Sequence, residues 1–137
     1  MIAGSETISV LSMNVAIFVL LLVVGLINFL PVIGVLSAQK LSSAYAVELV
    51  GNDIIILMRH RALLFGIIGS FVLYALFKPL YQTPAMLMAG VSMLGFLFFS
   101  WAAESYNASI TKIMMVDVVG IICLLIATVL KYLQSSH

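Results

Sequence analysis

Arg59, His60 and Arg61 stand side by side in the run Asp53-Ile-Ile-Ile-Leu-Met-Arg-His-Arg-Ala-Leu-Leu-Phe-Gly66, with apolar residues before and after. Guanidinium groups hold carboxylates and phosphates bidentately, and an imidazole can carry a proton. The acid set deepest in an apolar run is Asp117, between Val116 and Val118. A lone aspartate at the centre of a bilayer costs about 2.5–3.5 kcal/mol on insertion scales, and an arginine partner offsets much of that. We therefore expect an ion pair between Asp117 and Arg59 or Arg61, with Glu104 as a second acid. At about 100° per helical residue, Arg59 and Arg61 point to nearly opposite faces. One should turn inward and the other reach back to the lipid headgroups.

The remaining reactive side chains suggest less chemistry. His60 is the only histidine in an apolar segment. A zinc site or a bis-histidine haem needs further nitrogen or sulfur ligands, so no metal site is expected. The eight methionines lack regular ligand spacing and suit deformable packing. Cys123 is the sole cysteine and reads as a small core residue. Asn14 and Asn28 fall four turns apart on one helix face, and Asn28 should hydrogen-bond to a neighbouring helix.

The elements that must position these residues follow from composition. Of 137 residues, 64% are hydrophobic and only 8% are charged, against about 25% charged in a soluble domain. Such a chain needs a bilayer as its solvent, and there the backbone must satisfy itself in helices or a closed barrel. The apolar runs are long and unbroken, which selects helices. We expect an all-α integral membrane protein, an antiparallel four-helix transmembrane bundle forming a single domain over residues 1–137. The helices should cover roughly residues 9–37, 53–77, 84–103 and 109–133. Pro31 should kink or loosen the end of the first. The opening residues carry no Lys or Arg, unlike a secretory signal, and are expected to stay in the mature protein. In the first connection Leu41, Ala44, Tyr45, Val47 and Leu49 could line one side of a short amphipathic segment. Gly51-Asn52-Asp53 reads as a turn and helix cap, and Thr83-Pro84 as a helix start. Asn107-Ala-Ser109 matches a glycosylation sequon but lies too close to a span to favour that use.

Four spans put both termini on one side and the first and third loops on the other. The looped side carries Lys40, Arg59, Arg61 and Lys112; the terminal side carries Lys78 and Lys131, with Tyr132 and His137 beyond. The positive-inside rule then places the loops in the cytoplasm and the termini outside. Asp117 lies about two turns, or about 12 Å, into its helix, near the depth of Arg59 and Arg61. The other halves of the spans are poorly polar, which argues against a channel. A pocket open to one side fits better, with Arg59, Arg61, Tyr45, Trp101 and Tyr106 at its mouth and apolar walls below. That shape suits an amphiphile such as a lipid or a quinone.

Tyr45-Ala-Val, Leu57-Met-Arg59-His60-Arg61-Ala62, Phe65-Gly66 and a last helix containing Asp117 together resemble a group of small bacterial inner-membrane proteins. In layout these are similar to the DoxX-like four-helix family. The resemblance implies a four-helix fold in a bacterial inner membrane. For some members of that family it implies quinone-dependent sulfur oxidation, but this chain lacks a cysteine pair for thiol redox chemistry. The reading that follows is an accessory or structural membrane protein that binds lipid or a partner at the charged pole of Arg59, His60, Arg61, Glu104, Asp117, Asn28 and Tyr45. No cofactor is expected, although a quinone would fit an alternative reading, an enzyme or redox subunit acting on a membrane-dissolved substrate. A proton or small-solute transporter is the third. Membrane lipids, a second copy of the chain or another membrane protein are the expected partners. Net charge of +1 with no basic arm argues against nucleic acid.

Overall fold

The computed structural model describes residues 2–136; Met1 and His137 lie outside the described residues. Five α-helices carry the described residues: α1 (Ile2–Phe29), α2 (Ala38–Tyr45), α3 (Asn52–Ala75), α4 (Gln82–Ala102) and α5 (Ala108–Ser135). Four segments, Glu6–Val35, Asn52–Ala75, Pro79–Ala102 and Ala108–Ser135, are long and apolar enough to cross a membrane.

The first helix differs from expectation at both ends. It begins at Ile2, because Ser5, Thr7, Ser9 and Ser12 do not prevent helix in a run with no proline or internal break. It stops being α-helical at Phe29 and continues as a six-residue 3-10 segment, Leu30–Val35. Pro31 has no N–H to donate back along the helix, and its ring crowds the preceding turn. The chain tightens into the narrower helix, and Leu36 N–H donates to Ile33 O at 3.2 Å.

The amphipathic segment of the first connection is a true helix. Ser37 caps α2 by accepting a hydrogen bond from Lys40 N–H at 3.4 Å. Ala46 ends it in the left-handed region at φ 50°. Leu41 and Tyr45, one turn apart, are both buried. They pack with Ala62 and, at its margins, Val35, Met58 and Ile113. Ala44 and Val47, grouped with them from the sequence, are instead exposed. Gly51 (φ 92°) occupies the position before α3, with no side-chain cap; Asp53 sits in the first turn, where its charge favours the helix dipole.

α1 packs on α3 and α5, and α4 packs on both of these. The core joins Leu21 and Val24 of α1, Val72 of α3, Ala89 and Met93 of α4, and Leu124 of α5. Glycines set the closeness of α1 and α3. A methyl group on Gly69 would lie 2.6 Å from Phe29 Cα, and one on Gly25 2.7 Å from Leu73 Cδ2. A methyl group on Gly66 would meet Val32. Such small-residue contacts let helix backbones approach where no water drives association. The outer faces remain apolar: Leu63, Leu64 and Ile67 of α3, Leu87, Val91 and Phe99 of α4, and Val119, Ile122 and Leu125 of α5 are all exposed. Only 17–33% of each apolar span is buried, far more open apolar surface than a soluble monomer carries.

Candidate functional site

The end of the molecule where the 3-10 segment, α2, the start of α5 and the neighbouring turns of α3 and α4 meet encloses a cavity of about 420 Å³. One wall is Ile27, Asn28, Leu30, Pro31, Ile33 and Gly34. α2 contributes Lys40, Leu41, Ala44 and Tyr45, and α5 contributes Lys112, Ile113, Val116 and Asp117. Arg61 and Phe65 of α3 and Phe96 of α4 complete it.

Arg61 is held by rings rather than by an acid. Its guanidinium carbon lies 5.4 Å from the centroid of Tyr45, 5.2 Å from Phe65 and 5.2 Å from Phe96. Each ring face attracts the cation, and the attraction grows with desolvation. Among the described residues the guanidinium has no hydrogen-bond acceptor and no carboxylate within 4.0 Å. Asp117, partly buried on the same cavity, likewise has neither a donor nor a cation within 4.0 Å among the described residues. The two therefore share one cavity without the direct ion pair expected of them.

Asn28 is 2% exposed. Its Nδ2 donates to Val24 O of its own helix at 2.9 Å, rather than to a neighbouring helix. Its Oδ1 makes no hydrogen bond, and no fully buried polar side-chain atom among the described residues is left without a partner. Oδ1 is therefore not fully enclosed, and Asn28 is one of the residues that line the cavity.

The charged pole thus divides. Arg61, Asp117, Asn28 and Tyr45 line the cavity; Arg59, His60 and Glu104 do not. Arg59 is exposed and folds back so that its Nε donates to Val35 O at 2.9 Å, a cation against the carbonyl end of the 3-10 segment. His60 and Glu104 are exposed, and Trp101 and Tyr106 do not line the cavity either. Among the described residues, no group of three or more His, Cys, Asp and Glu side chains could hold a metal ion.

Several residues of the cavity carry no site signal in the sequence. Lys40 read there only as a topology charge, Lys112 as one more charge on the looped side, and Phe96 as one aromatic residue among many. Asn107 holds the architecture together. Its Oδ1 accepts from Ile110 N–H at 3.0 Å as the cap of α5, while its Nδ2 donates to Tyr45 O at 2.9 Å and Ala46 O at 3.1 Å. The capping could be read from an asparagine followed by a helical run; the tie to α2 could not.

A second groove, of about 740 Å³, runs between α4 and α5 past Met86, Gly90, Val91, Leu124 and Thr128 to Lys131. It is larger, but its cation is already engaged: Lys131 Nζ donates to the buried Gln82 Oε1 at 3.0 Å. The smaller cavity, where Arg61 and Asp117 face one space without a direct ion pair among the described residues, has the stronger claim as a binding site. Comparison with protein-family models, with curated proteins and with solved structures gave no match.

Proposed function

We propose that this chain is a multi-pass membrane protein, an antiparallel bundle of four transmembrane helices, that holds the polar head of a membrane amphiphile in the cavity around Arg61. The observation that carries the reading is the caged guanidinium. Three rings surround Arg61, and among the described residues its N–H groups have no acceptor. Arg61 is half-buried among mostly apolar walls, and a guanidinium with free N–H groups in such surroundings is matched by an anionic acceptor, for which a head group from outside the chain is the natural occupant. Mostly apolar walls with a few polar groups suit an amphiphile better than a water-soluble solute. The antiparallel arrangement is supported by the contacts of Gly25 with Leu73, Phe29 with Gly69 and Val32 with Gly66, whose partner numbers fall as the first rise. Insertion is supported by the apolar outer faces. Lys40, Arg59, Arg61 and Lys112 at the cavity end favour cytoplasmic loops in a bacterial inner membrane.

In this reading the protein serves as an accessory subunit rather than a catalyst. A second reading, a quinone site, rests on Asp117, a carboxylate in an apolar cavity that could exchange a proton with a quinol. Native mass spectrometry of the protein extracted in mild detergent tests the main reading. An amphiphile should be retained by the wild type and lost in Arg61→Ala, with helicity by circular dichroism unchanged. Equal retention in both would refute it.

A further inference from the structure

The cavity groups narrow the class of head group, an argument that rests on the amphiphile reading above. Lys40, Arg61 and Lys112 reach the cavity from three different helices, against one carboxylate, Asp117. Among the described residues none of the three cations is in an ion pair or makes a side-chain hydrogen bond. Lys40 and Lys112 are exposed where they meet the cavity and Arg61 is half-buried; such an excess of cations beside a largely apolar pocket is matched by a phosphate ester. A phosphate alone, however, leaves two groups without a role. Asp117 and Asn28 both line this space, and each carries an acceptor oxygen with no donor among the described residues. A carboxylate repels a phosphate, so whatever lies against it must donate a hydrogen bond.

We propose that the cavity takes a phospholipid whose phosphate diester carries a terminal hydrogen-bond donor, a hydroxyl or an ammonium. The phosphate lies on Lys40, Arg61 and Lys112, and the donor on Asp117 and Asn28 Oδ1. Phosphatidylglycerol and phosphatidylethanolamine have this chemistry. Phosphatidylcholine has the same phosphate and no donor on its head, which makes it the discriminating control.

The test is competition by native mass spectrometry. The full chain in detergent is offered an equimolar mixture of phosphatidylglycerol, phosphatidylethanolamine, phosphatidylcholine and a neutral quinone. Phosphatidylglycerol should be retained over phosphatidylcholine by about tenfold, the weight of one charge-assisted hydrogen bond. Asp117→Leu should bring the two lipids level without emptying the site. The pair Lys40→Gln and Lys112→Gln should lower occupancy by every phospholipid. Phosphatidylcholine held as tightly as phosphatidylglycerol by the wild type would overturn the proposal, whatever the variants do. Preference for the quinone would overturn it while leaving the amphiphile reading intact, whereas retention of no amphiphile would overturn both. Displacement of the lipid by glycerol 3-phosphate at equal concentration would also overturn it, by moving the ligand out of the bilayer.

Discussion

Replacing Gly69 by alanine would drive a methyl group into the backbone of Phe29. The new carbon would lie 2.6 Å from Phe29 Cα and 2.7 Å from its Cβ, and would also overlap its N. Comfortable carbon contacts are about 3.5–4.0 Å, so the two helices would have to part by about 1 Å. No rotamer can absorb that, because the obstacle is main chain. The helices also touch at Gly25 and Gly66, so parting them at one point loosens contacts above and below. Overpacking costs about 1–3 kcal/mol, and a rigid obstacle belongs at the top of that range. The better helix propensity of alanine returns up to about 1 kcal/mol. The expected net loss is about 2 kcal/mol, roughly a thirtyfold fall in the folded-to-unfolded ratio. Gly95→Ala is the internal control. Nothing lies within 4 Å of its added carbon, so only propensity remains and stability should rise by up to about 1 kcal/mol. Both variants are read by circular dichroism during unfolding from a mild detergent into a denaturing one. If Gly69→Ala proves as stable as Gly95→Ala, the close α1–α3 contact is wrong.

Three further outcomes are expected. Asn107→Ala removes the α5 cap and both ties to the end of α2, at a cost of about 2–3 kcal/mol; hydrogen exchange should quicken in α2 as well as in the first turn of α5, and an effect confined to α5 would refute the tie. Ala46→Gly should raise the thermal midpoint, since the left-handed backbone at φ 50° costs an alanine about 1–2 kcal/mol that glycine escapes. Arg61→Lys keeps the charge but loses the flat face that three rings contact, so thermal stability should drop by about 1–2 kcal/mol; a neutral outcome would show that the cage does not bind the guanidinium.

The four long apolar helices were legible because each is a run with few charges, and an apolar run is a one-dimensional signal. The division of Arg59 from Arg61 was legible too, as a phase difference of two residues on a helix. What each then met was not. Val35 O is free to accept from Arg59 because the 3-10 segment ends at Val35, and from the sequence Pro31 indicated a loosened end and not a 3-10 segment. The rings around Arg61 come from α2, α3 and α4. Phe65 and Phe96 look like any aromatic in a span until the helices are packed. Asp117 and Arg61 were expected at similar depth, and they line one cavity. Depth does not fix lateral separation, and the expected ion pair depended on both. Gln82 read as a loop residue, yet it is buried as the partner of Lys131, a contact set by how the ends of α4 and α5 align.

The 3-10 segment also sets a phase. An α-helix advances about 100° per residue and a 3-10 helix about 120°. Across the six residues Leu30–Val35 the difference accumulates to about 120°, a third of a turn. The same six residues rise about 3 Å further along the axis than an α-helix would carry them. Ser37 is therefore delivered at a different azimuth and height from those an uninterrupted helix would give. From that starting point the extended Ser37 turns the chain into α2, whose end Asn107 at the start of α5 then holds.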